Sequence, residues 1–280
     1  MFDAKHVCAQ ATALRLHIID MLTEAKSGHP GGSLSAADIV SVLYFGEVLR
    51  YDATTPDDPE RDRFLLSKGH AAPVQYAALA QAGFFPVEEL LKLRKLGAML
   101  QGHPDALTTP GIEVSTGSLG QGLSIACGIA QTLHNAGGNQ RVYCLLGDGE
   151  LQEGQVWEAA MYAAHYQLEN LTAIIDANNL QIDGTLDEVM SLGDIAMKFA
   201  AFGWDVYEID GHDVEAIYKA LTIAGDAGKP RAIVARTKKG CGVSFMEDKA
   251  GWHGMTPNRE QADEACRQLR SALEGGGSHG

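Results

Sequence analysis

Two polar turns in this chain have the residue types for chemistry, Gly147-Asp148-Gly149 and Asn178-Asn179. Each follows a short apolar run, Val142 to Leu146 and Leu171 to Asp176, of the kind that forms buried strands. If those strands are neighbours, the Asp148 carboxylate and the Asn178 amide oxygen reach one rim, beside a backbone carbonyl near Leu180. A hard divalent cation binds through such oxygens, and phosphate oxygens and water complete an octahedron. Gly149 lets the backbone approach a phosphate without a Cβ clash, and the next helix offers its first N–H groups to the anion. The plain alternative is an Asp that only shapes a strand-end turn. Histidines form a second set. His29 and His103 each precede a proline, His70 ends Ser67-Lys68-Gly69-His70, and His253 lies in Gly251-Trp252-His253-Gly254. Taken singly, His29 and His103 read as turn residues with solvated rings.

The chain must position these groups with 280 residues, 45% of them hydrophobic, which is enough for one sizeable core. Lys and Arg number 22 against 36 Asp and Glu, a formal net charge of −14. Such a surface repels nucleic acid and anionic membranes, so neither is an expected partner. A phosphate ligand would therefore need a metal or aimed backbone N–H groups. The cysteines at 8, 127, 144, 241 and 266 are odd in number and lack a C-x-x-C pair, which argues against a disulfide framework and a zinc site. A reducing cytoplasm is the expected compartment. Residues 1–16 lack the uninterrupted apolar core of a signal peptide, and no apolar run is long enough to cross a bilayer.

Periodicity predicts helices over 9–22, 35–49 (amphipathic), 71–82, 119–133, 156–166, 195–202 and 214–224. It predicts strands over 64–66, 142–146, 171–176, 204–209 and 232–235. Ser27 to Gly32 reads as a loop. Strands alternating with helices imply an α/β fold, a parallel sheet with helices on both faces. Ligands of such sheets bind outside the carboxyl ends of the strands, where the polar turns lie. One domain is expected over residues 1–273, with a flexible Gly-rich tail over 274–280.

The strand-G-D-G-helix-strand-Asn pattern resembles the signature of thiamine diphosphate enzymes. Ser27-Gly28-His29-Pro30-Gly31, Ser67-Lys68-Gly69-His70, Gly102-His103-Pro104-Asp105 and Thr116-Gly117-Ser118-Leu119-Gly120-Gln121-Gly122 resemble the transketolase set in the transketolase order. The likeness covers roughly residues 27–254. It implies a thiamine diphosphate-binding fold and Mg2+, with Ca2+ or Mn2+ as substitutes, held by Asp148, Asn178 and the Leu180 carbonyl. It implies diphosphate contacts from Gly149 and His70 and aminopyrimidine contacts from Gly117 and Leu119. It places His29, His70, His103 and His253 around the reacting carbon, the sugar hydroxyls and the cofactor; neutral imidazoles suit proton exchange there. Glu153 is either a favourable charge at a helix start or an interface carboxylate, whereas Glu158 reads as the former. Two departures are a serine, Ser118, where the family usually has proline, and a single histidine in the His253 loop. The remaining histidines, at 6, 17, 134, 165, 212 and 279, match no motif and read as surface or helix-packing residues.

The resemblance further implies ketol transfer between a ketose phosphate and an aldose phosphate. The proton donor to the aminopyrimidine and the phosphate-binding arginines belong to a second domain in full-length members. The expectation is therefore an N-terminal subunit that works with a C-terminal transketolase subunit bearing the pyrimidine-binding and C-terminal domains, as an α2β2 heterotetramer. Alternatives are a half-enzyme of the deoxyxylulose-phosphate-synthase or ketoacid-decarboxylating type and a subunit kept for assembly without catalysis. Gly117 to Gly122 reads G-x-x-G-x-G, an order that disfavours a dinucleotide fold.

Overall fold

A computed structural model describes residues 2–274, so the Gly-rich tail expected to be flexible falls outside the described residues, apart from the backbone of Glu274. The helices are α1 (Ala4–Ala25), α2 (Pro30–Ser35), α3 (Ala37–Phe45), α4 (Ala72–Gln81), α5 (Gln121–Asn135), α6 (Gly154–His165), α7 (Leu186–Val189), α8 (Ile195–Ala201), α9 (Val214–Thr222) and α10 (Arg259–Glu274). The strands are β1 (Arg63–Leu66), β2 (Val142–Gly147), β3 (Leu171–Ala177), β4 (Leu180–Gln181), β5 (Gly184–Thr185), β6 (Asp205–Asp210) and β7 (Arg231–Arg236). Five strands form one sheet in the order β1-β2-β3-β7-β6, and every pair in it is parallel. β4 and β5 form a separate antiparallel hairpin.

Side chains alternate across a strand, and here both faces are apolar. Along β2, Tyr143 and Leu145 enter a core shared with α1, α3, α4, α9 and α10. Val142, Cys144 and Leu146 enter a second core shared with α5, α6 and α8. Helices thus cover both faces of the sheet, as the near-continuous apolar strands predict. Truncating a fully buried anchor such as Leu14 of α1 to alanine would cost about 2–5 kcal/mol.

Several boundaries differ from the sequence reading. The glycine-rich segment after Ser27 is a loop only as far as His29; Pro30, whose fixed φ suits a first helical turn, opens α2. The expected amphipathic helix over 35–49 is the shorter α3, with Ala37 to Tyr44 buried all round. It packs against α1, α4 and α9 rather than standing at the surface. The helix expected from Leu119 begins at Gln121, because Gly120 is left-handed at φ 83°. A Cβ on Gly120 would stand 2.6 Å from Glu153 Cβ, so the two loops meet there only through glycine. α10 went unread although Ala262, Ala265, Cys266 and Leu269 follow an i, i+3, i+4, i+7 spacing and bury that face. Among the described residues, no helix is long and apolar enough to cross a membrane.

Candidate functional site

A cleft of about 420 Å³ opens at the carboxyl ends of β1, β2, β3 and β7. β2 and β3 are neighbours with Gly147 opposite Asp176, so the residues that follow them share one rim. Asp148, Gly149, Asn178 and Leu180 all line the cleft. Asp148 Oδ1 accepts from Gly149 N at 2.8 Å and Oδ2 from Asn179 N at 2.5 Å, which ties the two turns together. Asn179 takes φ 58°, a left-handed conformation that asparagine tolerates. This bend turns the chain into the β4–β5 hairpin and brings the Leu180 carbonyl to the cleft. Burial pushes the Asp148 carboxyl up to about 6, and the nearby Asp176 carboxylate adds to the rise. A bound divalent cation would relieve that strain, so the oxygen set suits a hard metal.

His29, His70 and His253 also line the cleft. Their ring centroids lie 5.1 to 5.5 Å apart in all three pairs. Burial is the main reason their basicity falls, to about 4 for His29, about 2 for His70 and about 3 for His253; neighbouring cationic groups push the same way. All three are therefore neutral near pH 7. His29 Nδ1 is buried without a hydrogen-bond partner, a free polar atom beside the cleft. His103 stands apart: exposed, outside the lining, and next to Gly117, where a Cβ would meet the His103 ring at 2.9 Å. Its basicity is lowered by partial desolvation and by Arg94. Gly117, Leu119 and Glu153 line the cleft as well. Glu153 is exposed at the N-cap of α6 without capping it through its side chain.

Four charged residues that the sequence reading did not single out hold this site. Lys68, 2% exposed, donates to the Gly32 carbonyl at 2.8 Å and pairs with Asp176 beneath the cleft. Burial alone would raise the Asp176 carboxyl; Lys68, Ser35 and Thr237 reverse this and hold it below the usual range. Lys239 Nζ donates to the Leu180 carbonyl at 2.7 Å and lies 2.8 Å from His253 Nδ1. Burial and the Lys68 charge lower its pKa to about 8. Glu150 is buried between the glycine loops, accepting from Gly120 N at 3.0 Å, Gly147 N at 3.1 Å and the Ser67 hydroxyl. The available signal was an acid, Asp176, inside an otherwise apolar strand, which needs a buried cation as partner.

The sequence reading makes His212 a surface or helix-packing residue, and it packs on α3 through a charged partner. Its ring lies against Asp38, 2.7 Å from that carboxylate, with 11% of the side chain exposed. Asp38, His212 and Cys241 bring ligand atoms within 4.8 Å of one another. They do not form a ready metal centre, because Arg15 grips both Asp38 oxygens and both ring nitrogens of His212 are hydrogen-bonded.

Residues 7–273 match the family described as "Transketolase, thiamine diphosphate binding domain". The chain belongs to this transketolase family. It is 46% identical over 268 residues to transketolase-like protein 2 of Bos taurus, covering 94% of this chain and 42% of that protein. It is 41% identical over 266 residues to one of the subunits of the apulose-4-phosphate transketolase of Phocaeicola vulgatus, covering 95% of this chain and 94% of that polypeptide. The crystal structure of transketolase from Campylobacter jejuni superposes with a TM-score of 0.90 at 36% identity, over 96% of this chain and 43% of that one. The chain thus spans less than half the length of the full-length transketolases it matches and nearly all of the Phocaeicola polypeptide, which is itself one part of a transketolase. As in the rest of the family, the fold is that of a thiamine diphosphate-binding domain.

Proposed function

We propose that this chain is the N-terminal, diphosphate- and metal-binding half of a transketolase that works with a second polypeptide in the cytoplasm. The observation that supports this best is one cleft holding an oxygen set for a hard cation, two buried lysines for an anion and three neutral imidazoles. The Asp148 carboxylate, Asn178 Oδ1 and Leu180 carbonyl would hold Mg2+, with Ca2+ or Mn2+ as substitutes. The Leu180 carbonyl has two lone pairs, one of them facing Lys239. His70 and the Gly149 backbone would hold the diphosphate, and Gly117 and Leu119 the aminopyrimidine ring.

When bound, thiamine diphosphate supplies the nucleophilic carbon and the electron sink for ketol transfer. This chain's part is to exchange protons and to orient the sugar. His29 and His253, neutral at the cleft, accept a hydroxyl proton or donate to a developing alkoxide. His103 acts from the mouth, where an acceptor sugar would enter. Glu153 would meet the partner chain.

The substrates proposed are a ketose phosphate donor and an aldose phosphate acceptor, with an apulose phosphate among the sugars to test in view of the Phocaeicola relative. The partner would bear the pyrimidine-binding and C-terminal domains, in a two-fold assembly of two copies of each chain. The test is turnover of ketose and aldose phosphates with and without that partner at saturating Mg2+ and thiamine diphosphate. Activity is expected only from the pair. Full activity from this chain alone would overturn the two-chain reading, and an inactive, cofactor-loaded pair would overturn ketol transfer.

A further inference from the structure

Behind the cleft lies a buried charged group that the proposed reaction does not use. Arg15 of α1 grips Asp38 of α3 through both terminal nitrogens, at 3.0 and 2.6 Å. The same carboxylate lies 2.7 Å from Nδ1 of His212, which follows β6. The other ring nitrogen, Nε2, accepts from the Lys238 backbone N–H at 2.8 Å. An amide nitrogen can only donate, so Nε2 carries a lone pair and Nδ1 carries the proton. Burial disfavours charge on this ring, while Asp38 and Cys241 favour it and push its basicity up. The Lys238 amide opposes that rise, because a proton on Nε2 would set two N–H groups head to head. The geometry is that of the neutral ring in one tautomer.

Of the residues on either side of Lys238, Lys239 lines the cleft and Thr237 bonds Asp176 beneath it. The Thr237 hydroxyl donates to Asp176, whose other oxygen pairs with Lys68. Lys239 Nζ donates to the Leu180 carbonyl at 2.7 Å, and Gly240 N donates to the Gly31 carbonyl at 3.1 Å. The Lys238 amide itself points away from the cleft, toward His212. It is a backbone bond that ties this turn, through His212 and Asp38, to the scaffold of α1 and α3.

We propose that His212 is a positioning residue for the cofactor cleft: held by Asp38 and Arg15, it fixes the Lys238 amide and so aims Thr237 and Lys239. The assignment rests on the cofactor reading above, but its first two tests do not depend on that reading. Two substitutions separate the ring's two bonds. In His212→Gln the amide oxygen reaches the position of Nε2 and can still accept from Lys238. In His212→Asn the side chain stops near the position of Nδ1 and keeps only the Asp38 bond.

Hydrogen exchange read by mass spectrometry over residues 236–241 should speed up roughly fivefold or more in His212→Asn and stay near the parent rate in His212→Gln. Equal exchange in the two variants would overturn the proposal. Nitrogen NMR of the unsubstituted chain at neutral pH needs no variant to fold: one protonated and one bare ring nitrogen are expected for His212, and two protonated nitrogens would overturn it. In the complex with the partner chain, calorimetric titration with thiamine diphosphate and Mg2+ should show about tenfold weaker binding for His212→Asn, restored in His212→Gln, with kcat at saturation little changed. Unchanged affinity in His212→Asn would overturn the link to the cleft. An unsubstituted complex that bound no thiamine diphosphate would sink the functional reading instead, leaving exchange and NMR to decide on the Lys238 bond.

Discussion

Glu150→Gln is expected to loosen both glycine loops of the cleft at once. One Glu150 oxygen accepts from Gly120 N at 3.0 Å and from the Ser67 hydroxyl, and the other accepts from Gly147 N at 3.1 Å. Three donors converge on an acceptor-only group. A glutamine presents one oxygen and one NH2, so in either orientation the NH2 faces a backbone N–H. One charge-assisted bond, worth about 1.5–3 kcal/mol, is lost. Part of that is offset because burial disfavours the carboxylate and raises its pKa. The net expectation is a loss of about 1–2 kcal/mol, or roughly 2–8 °C in melting temperature for a chain of this size. Glu150→Ala leaves the N–H groups of Gly120 and Gly147 without the carboxylate and opens a cavity, so about 3–5 kcal/mol is expected there. Thermal melts of the three proteins at one pH give the comparison, and titration with thiamine diphosphate and Mg2+ in the assembled complex gives the effect on the cleft. A glutamine variant that melts with the parent and binds the cofactor equally well would refute the Glu150 link between the two loops.

Asp148→Ala and Asn178→Ala should each abolish metal-dependent thiamine diphosphate binding while the chain stays folded; normal affinity by calorimetry in the assembled complex would sink the metal assignment. His70→Ala should weaken the cofactor and His103→Ala should lower turnover while sparing cofactor affinity, each by about ten- to hundredfold. Titration and initial rates showing the reverse would mean the two roles are exchanged. Stability without ligands should fall as the pH drops below about 6.5. His29, His70 and His253 resist protonation when folded, whereas an unfolded imidazole titrates near 6.5, so below about that pH the unfolded chain binds protons the folded chain refuses. His70→Asn removes one such site, and urea melts should show its stability–pH slope shallower by about one proton between about pH 6 and 5. Identical slopes would show that folding does not suppress the His70 titration.

Much of the fold was legible because its signals are local. The apolar runs from Val142 and Leu171 are short, continuous and ended by polar turns, as buried strands are, which puts those turns at a sheet rim. α3 misled because its helical period survives while its polar face does not: a helix buried on every side has no amphipathic stripe to read. α10 escaped because its narrow apolar stripe runs through a highly charged segment.

The sequence by itself put forward which groups could carry chemistry: Asp148 and Asn178 after two apolar runs and, through the family resemblance, four histidines in glycine- or proline-bearing turns. The first pair depends on the chemistry of single residues and on strand periodicity, both of which act over a few positions, whereas the histidines depend on the order of the motifs that hold them. Only the tertiary structure decided what stands behind them. Lys68 finds Asp176 across 108 positions and His212 finds Asp38 across 174, separations over which no periodicity links the partners. A buried charge is tolerable only beside its counter-charge, and where that counter-charge lies is settled by how the strands and helices pack.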